Sequence, residues 1–286
     1  MKSAYPSLLS ADSAALRILT DAAQSARIVV FCGIPGSGKS LLVRELVKLS
    51  HAVRRRVTLM QWDVSRQAFE LPGILERYPE VDGATHVMIR RAAGLWSRGA
   101  IEQWSRHNTS VQDLLVVEAP LVGGRWSELA HCLDDAAEPI LRAPDTRYFV
   151  PTPSIAVRRV IEAARTNETA INRHARDAAN AIPQLVDELW QQVAAAANRM
   201  QLANAPRSME YEPAQYFALY AAVLKHRNVI RVPVEETVKA VDSPHAIGKT
   251  VAELIPEIHQ VPTLLSVAEA EGVAQVTQQS QVWYET

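Results

Sequence analysis

Residues 28–40 read IVVFCGIPGSGKS, and this stretch carries the clearest structural signal in the chain. The four apolar residues at 28–31 predict a buried strand. Residues 33–40 then match the pattern G-x-x-x-x-G-K-[ST] at every defined position, and a helical run over residues 41–50 follows at once. A strand, a glycine-rich loop and a helix in this order form the setting in which the pattern binds phosphate groups.

The residue types in this loop suit a polyphosphate. Its three glycines permit positive φ angles, so that backbone N–H groups can curl around the anion. Lys39 places a positive charge near the β- and γ-phosphates, Ser40 offers a hydroxyl to Mg²⁺, and the following helix directs its positive dipole end at the same anion. We therefore predict that ATP and Mg²⁺ are bound here, with contacts from Gly33, Pro35, Gly36, Ser37, Gly38, Lys39, Ser40 and Leu41. The alternative is a glycine-rich turn that binds nothing.

Composition limits the classes of protein to which the chain can belong. A chain of 286 residues, 48% of them hydrophobic, suffices for one large α/β domain or for a domain with an appendage. A net charge of −1 predicts no nucleic-acid partner. Two cysteines without a C-x-x-C pattern predict neither a disulfide framework nor a zinc site. Since the sequence shows no targeting segment and no 18-residue apolar run, we expect a cytoplasmic protein without a membrane partner.

Further strands are predicted where short apolar runs recur along the chain. Such runs occupy residues 57–62, 113–118, 147–151 and 228–233, and helical patterns lie between them. This alternation predicts an α/β fold with a mainly parallel five-stranded sheet flanked by helices in three layers. We assign that domain to residues 1–236. Residues 237–286 are expected to form a helical C-terminal extension, with a short helix near residues 251–258 and a polar tail from residue 277.

An acidic residue follows two of the predicted strands. Asp63 comes directly after the second strand, and Glu118 closes the third. Because ligands of parallel α/β sheets bind outside the carboxyl ends of the strands, both acids are expected to face the same crevice as the glycine-rich loop. Asp63 is a candidate general base, or else a helix cap. Glu118 is a candidate metal ligand, or else a solvated strand end.

The motifs present and missing narrow the type of nucleotide-binding protein. There is no N-K-x-D guanine motif, and Glu118 has no preceding Asp of the kind found in mechanical ATPases. The order of the loop, Asp63, Glu118, a strand at residues 148–150 and an arginine-rich segment at residues 157–165 resembles the uridine kinase, pantothenate kinase and phosphoribulokinase group of P-loop kinases. This resemblance covers about residues 27–169 and implies a P-loop NTPase sandwich.

The resemblance also implies an activity and a set of roles. It implies that the γ-phosphoryl group of Mg-ATP is transferred to a hydroxyl of a small nucleoside- or pantothenate-like metabolite. This metabolite is the expected partner, and a homodimer is left open. Lys39 holds the donor phosphates, Asp63 is the base, and Glu118 joins Ser40 at the metal. Arg158 and Arg165, which lie on one helix face, belong to a lid that clamps the phosphates, whereas the side chain of Arg159 is rotated by about 100°.

Two alternatives to this interpretation remain open. The sequence also resembles the zeta-type toxins, which phosphorylate a nucleotide sugar. The residues that match their motif pattern are Pro35, Asp63, Pro79, Glu118 and Arg125. In that setting Arg125 contacts the acceptor; otherwise it is a solvated loop charge. A regulatory NTPase that signals through its C-terminal third is the alternative outside the transferases.

Overall fold

One sheet organises the chain. The computed structural model describes residues 9–81, 83–167, 183–202, 211–236 and 251–286. These residues form a six-stranded sheet in the order β5-β4-β1-β3-β2-β6, and all of its strand pairings are parallel. The strands are β1 Ile28–Cys32, β2 Arg56–Gln61, β3 Asp113–Ala119, β4 Thr146–Pro153, β5 Val229–Val234 and β6 Ala252–Glu253.

The predicted α/β class and parallel sheet are therefore confirmed, but the predicted number of strands is wrong. Five strands were expected, and the sixth, β6, pairs with the outer edge of β2. The apolar pattern could not reveal β6, because it contains only two residues and both are exposed. The short helix expected near residues 251–258 is likewise replaced by β6 and by a 3-10 turn at Ile258–Gln260.

Helices cover both faces of the sheet, consistent with a three-layer sandwich. Val30 of β1 faces a core shared with helices on one side, and its neighbour Phe31 faces a core shared with helices on the other. The α-helices are α1 Ala14–Ser25, α2 Lys39–Ala52, α3 Trp62–Ser65, α4 Pro72–Arg77, α5 Val87–His107, α6 Glu138–Leu141, α7 Ile155–Asn167, α8 Pro183–Arg199, α9 Pro213–Val223, α10 Val261–Glu271 and α11 Val273–Gln281. Helices α1 and α2 cover one face, and α5, α9, α10 and α11 cover the other.

The C-terminal residues belong to the main core. Helices α10 and α11 pack on α5. The expected polar tail instead contains α11 and the side chains of Trp283 and Tyr284, which are 1% and 4% exposed. The predicted domain boundary after residue 236 lies where the described residues stop. Within the described part of the chain, every helix is too short or too polar to cross a membrane.

Strand register brings the chemistry-bearing strand ends together. Glu118 of β3 is level with Phe31 of β1 and with Gln61 of β2. The loop that follows β1, the helix that follows β2 and the loop that follows β3 therefore leave the sheet at one edge.

Candidate functional site

The glycine-rich loop, residues 33–40, connects β1 to α2. Gly33, Gly36 and Gly38 have φ angles of 146°, 80° and 90°, which a residue with a side chain rarely adopts. A Cβ at Gly33 would overlap the hydroxyl of Tyr216. The eight residues predicted to bind nucleotide lie in this loop and at the start of the next helix. Gly33, Pro35, Gly36, Ser37 and Gly38 belong to the loop, and Lys39, Ser40 and Leu41 form the first turn of α2.

Side chains hold the loop in a closed curve. The Nζ of Lys39 donates a hydrogen bond to the backbone oxygen of Ile34 at 3.0 Å. The backbone N–H of Ile34 donates to the hydroxyl of Tyr216 at 3.1 Å. Lys39 is only 6% exposed, so its charge is concentrated within the loop. This arrangement brings a buried cation and a helix N-terminus to one concave backbone segment, which favours an anion.

Ser40 and Glu118 lie in contact at the base of the loop. The Ser40 hydroxyl donates to Oε1 of Glu118 at 3.0 Å, and Nε2 of Gln61 donates to Oε2 at 2.9 Å. Glu118 is 9% exposed, so it is a buried carboxylate rather than a solvated strand end. A hydroxyl and a carboxylate side by side are the hard oxygen ligands that Mg²⁺ prefers.

The donor set fits a metal that is shared with a substrate. Among the described residues, no group of three or more His, Cys, Asp or Glu side chains could hold an ion alone. Mg²⁺ commonly takes one or two protein ligands and fills its remaining positions with water and phosphate oxygens. Ser40 and Glu118 match that requirement.

Asp63 lies in the first turn of α3 and faces the crevice. The N-cap of α3 is Gln61, so Asp63 does not cap this helix as the structural alternative required. Its side chain is 54% exposed, and Oδ1 lies 3.5 Å from Nε of Arg66. Desolvation raises the pKa of Asp63; the charge of Arg66 opposes the shift, and the charge of Glu118 adds to it.

Arg66 was missed by the sequence analysis. Besides Asp63 it pairs with Glu70, and its Nη1 lies 3.8 Å from Oε1 of Glu80. Its charge is therefore shared among three carboxylates. Only the position three residues after Asp63 signalled this contact, because one helical turn brings such residues together.

The loop after β3, residues 120–126, is strained and held by distant elements. Leu121 and Trp126 have φ angles of 64° and 63°, which are unusual for bulky residues and concentrate at functional sites. The hydroxyl of Tyr220 donates to the oxygen of Pro120 at 3.0 Å. The oxygen of Gly123 accepts hydrogen bonds from Arg90 and from the hydroxyl of Ser280.

Arg125 is a buried residue of this loop. It is 6% exposed, which contradicts its interpretation as a solvated loop charge. Its Nη1 donates to the oxygen of Val122 at 3.2 Å. Burial lowers the pKa of Arg125 to about 10, although the charge of Asp63 raises it. Burial and the charge of Arg125 lower the pKa of Arg90, in α5, to about 9. The sequence predicts an arginine-rich helix at residues 85–106 but does not distinguish Arg90 from the other arginines of α5.

The predicted lid arginines lie in α7. Arg158 is 4% exposed, and its guanidinium lies 4.8 Å from the ring centre of Tyr211 and 5.9 Å from that of Trp190. It therefore packs on two aromatic rings, both of which contact Tyr216 beside the glycine-rich loop. The side chain of Arg165 lies outside the described residues. The clamping role of both arginines stays a prediction.

Comparison of the sequence with protein-family models and with curated proteins finds no relative of the chain. No protein-family model matches it. No curated protein matches its sequence. The function is therefore inferred from the motifs and from the geometry of the chain's own residues.

Proposed function

We propose that the chain is an ATP-dependent phosphotransferase of the P-loop NTPase type that phosphorylates a hydroxyl of a small metabolite. The observation that carries this proposal is the closed glycine-rich loop around Lys39, with the Ser40–Glu118 pair directly at its base. The resemblance to the uridine kinase, pantothenate kinase and phosphoribulokinase group supports the same assignment. An acid-bearing strand end beside the loop supports transfer to an acceptor rather than binding alone.

The residues divide the task between donor and acceptor. The loop amides and Lys39 hold the β- and γ-phosphates of ATP. Ser40 and Glu118 would hold Mg²⁺, which neutralises phosphate charge when bound. Such positioning and charge neutralisation supply most of the catalysis in phosphoryl transfer.

Asp63 acts on the acceptor. Its carboxylate accepts the proton of the attacking hydroxyl as that oxygen bonds to the γ-phosphorus and the bond to the β–γ bridging oxygen breaks. ADP leaves with the bridging oxygen, and the acceptor leaves as a phosphate ester. The raised pKa of Asp63 makes it a stronger base than an ordinary aspartate, while its partial exposure to the crevice leaves room for the acceptor.

Acceptor-dependent ATP consumption tests this proposal. ATP turnover with Mg²⁺ is measured across nucleosides, pantothenate, sugars and nucleotide sugars. We expect one class to stimulate turnover, and Asp63→Asn to reduce that stimulated rate about 10²–10⁴-fold while ATP binding survives. Asp21→Asn, at an exposed aspartate of α1, is the matched control and should leave the rate unchanged.

The outcome also separates the alternatives. Stimulation by nucleotide sugars alone would favour the zeta-toxin type of kinase. If ATP binds but no acceptor stimulates turnover, the transferase proposal fails and a regulatory NTPase takes its place.

A further inference from the structure

Two arginines, the buried Arg125 and the partly buried Arg90, converge on one point beside the candidate acceptor position. Around the place that a Cβ of Gly123 would occupy, Nη1 of Arg125 lies at 2.9 Å, Oε1 of Gln192 at 2.9 Å and Nη1 of Arg90 at 3.3 Å. The absence of a side chain at Gly123 thus leaves a gap smaller than a Cβ between these polar groups, which we call the polar recess. Helices α5 and α8 and the loop after β3 each contribute one of its polar side chains.

These two arginines lack the contacting carboxylates that neutralise Arg98 and Arg227, two other buried arginines of this protein. Arg98 pairs with Asp135 and Glu138, and Arg227 also pairs with Glu138, all at 2.6–2.9 Å. In the described part of the chain, neither Arg90 nor Arg125 has a carboxylate oxygen within 4.0 Å, and Nε of Arg90 is buried without a hydrogen-bond partner.

Arg55 is a useful comparison because it too is buried without a contacting carboxylate. It donates to the oxygens of Ala23 and Asp113, and the Asp113 carboxylate offsets its charge against the like charge of Arg27. For Arg90, the only charge that shifts its pKa is the like charge of Arg125. Two adjacent cations in a largely buried place, neither in contact with a carboxylate, are unfavourable, and a ligand with negative charge would relieve them.

The recess lies next to the candidate base. Trp62, which precedes Asp63, packs edge-on against Trp126, which follows Arg125, with ring centres 5.8 Å apart. Asp63 and Arg125 are therefore held near each other by adjoining residues. An acceptor whose hydroxyl reaches Asp63 would direct another part of its structure at the arginines.

We propose that Arg90 and Arg125 bind a phosphate group already carried by the acceptor, so that the substrate is a phosphate monoester with a free hydroxyl. The proposal rests on the proposed function and specifies its substrate class. Two guanidinium charges match the two negative charges of a phosphate monoester, whereas a carboxylate would neutralise only one. The donors of both arginines would then be satisfied.

Inorganic phosphate is the probe in the first test, with the glycine-rich loop first saturated by Mg²⁺ and a non-hydrolysable ATP analogue. The melting temperature, Tm, is then followed as phosphate replaces chloride at constant ionic strength, with acetate as a carboxylate comparison. At 100 times its Kd, phosphate should raise the Tm of the wild type by about 5 °C. Acetate should raise it less.

Three arginine-to-methionine variants locate the effect. Arg90→Met and Arg125→Met should abolish the shift caused by phosphate and keep the shift caused by the ATP analogue. Without phosphate, both variants should melt at or above the wild-type temperature, because each removes a charge that no carboxylate contacts. Arg106→Met, at an exposed arginine of the same helix as Arg90, should respond to phosphate as the wild type does.

Several results would overturn the proposal. It fails if phosphate leaves the wild type unshifted or shifts all variants equally, or if acetate matches phosphate. It also fails if Arg90→Met and Arg125→Met lose the analogue shift, which would assign the arginines to ATP. If the ATP analogue fails to stabilise the wild type at all, it is the proposed function that fails.

A second test needs only the wild type. ATP turnover is compared for matched pairs of acceptors, namely ribose with ribose 5-phosphate, glucose with glucose 6-phosphate and uridine with uridine monophosphate. We expect stimulation only by the phosphorylated member of a pair. Stimulation by an unphosphorylated member to the same extent would contradict the arginine assignment while leaving the kinase assignment intact.

Discussion

Two carboxylates of the candidate site have opposite surroundings. Glu118 is buried, and both of its oxygens accept hydrogen bonds. Asp63 is half exposed and has a single cation, Arg66, at 3.5 Å. The first arrangement fixes a carboxylate in place, as a metal ligand requires. The second leaves a carboxylate open to a substrate and raises its proton affinity, as a general base requires.

The raised pKa of Asp63 predicts the pH dependence of turnover. The base must be unprotonated, so kcat/KM should fall as the pH is lowered through the pKa of Asp63. That acidic limb should lie above the ordinary aspartate value of about 3.9, because desolvation raises the pKa in the folded protein. A pH profile of acceptor-dependent ATP turnover measures it. An activity that stays level down to the ordinary aspartate range would exclude Asp63 as the base.

The raised pKa of Asp63 also determines how this residue affects the stability of the fold as the pH changes. A carboxyl with a raised folded-state pKa binds its proton more tightly in the folded state, so its contribution to stability is lost as the pH rises through that pKa. At neutral pH, Asp63→Asn should therefore leave the Tm unchanged or raise it. A loss of activity in this variant would then not come from unfolding.

The residues of the site differ in how well the sequence alone predicts them. Lys39 and Ser40 belong to a motif, and Asp63 and Glu118 follow apolar strands, so local pattern identifies all four. Arg90 and Gln61 carry no such pattern. Their positions depend on contacts with Gly123 and Glu118, which are distant in sequence, and only the packed chain brings them together.

At the scale of elements, α9 supports the glycine-rich loop from behind. Tyr216 accepts the Ile34 N–H, and Tyr220, one turn further along the helix, donates to Pro120 in the loop after β3. The helix thus contacts two of the chain segments that leave the edge of the sheet. The sequence predicts a helix here but not this contact, because both tyrosines fit equally well as ordinary core residues.

Tyr216→Phe tests that support. Removing the hydroxyl leaves a buried N–H without an acceptor, which should lower the free energy of unfolding by about 1–3 kcal/mol. It should also weaken ATP binding, because the loop loses one of its fixed points. Urea unfolding and calorimetric titration with Mg-ATP measure the two effects.

Tyr148→Phe is the matched control for this variant. Tyr148 is also fully buried, and its hydroxyl donates to the oxygen of Leu129 at 3.0 Å. Because the oxygen of Leu129 keeps a second donor, Nε of Arg227 at 2.9 Å, we expect a smaller loss of stability than for Tyr216→Phe, with unchanged ATP affinity. Equal ATP affinities for both variants and the wild type would show that Tyr216 only packs the core.

Strand prediction succeeded where the apolar run was long and buried. The residues of β1 and β3 are buried throughout. The sequence of β1 is a continuous apolar run, and so is that of β3 apart from Asp113 at its start and Glu118 one residue before its end. The prediction of β6 failed because a strand of two residues is too short to show an alternating apolar pattern. It forms through tertiary pairing with Thr58 and Leu59 of β2.

At the scale of the whole molecule, the C-terminal residues help to build the site. Ser280 of α11 donates to Gly123 in the loop that carries Arg125, and Glu271 of α10 forms an ion pair at 2.9 Å with Arg91, next to Arg90. The polar composition of residues 277–286 predicted a tail. A helix with one polar face, α11, followed by the two buried aromatic residues Trp283 and Tyr284, has the same composition.

Trp283→Ala distinguishes an integrated C-terminus from an appended one. Truncating this 1%-exposed side chain should lower the free energy of unfolding by about 3–5 kcal/mol in a single transition. Ile258→Ala, at a 68%-exposed position in the same segment, should change it by less than about 0.5 kcal/mol. Urea unfolding followed by circular dichroism measures both. A separate early transition that leaves the main transition unchanged would show that the segment folds independently.

The central claim is that the glycine-rich loop binds Mg-ATP through Lys39, and calorimetric titration tests it most directly. Mg-ATP is titrated into the wild type, into Lys39→Ala and into Lys48→Ala, the last a lysine of the same helix that pairs with Glu45 at 3.9 Å. Charge-assisted hydrogen bonds contribute about 1.5–3 kcal/mol, so Lys39→Ala should raise the Kd roughly 10- to 100-fold. Lys48→Ala should match the wild type. Equal affinities for all three proteins, or no heat of binding in the wild type, would contradict the account.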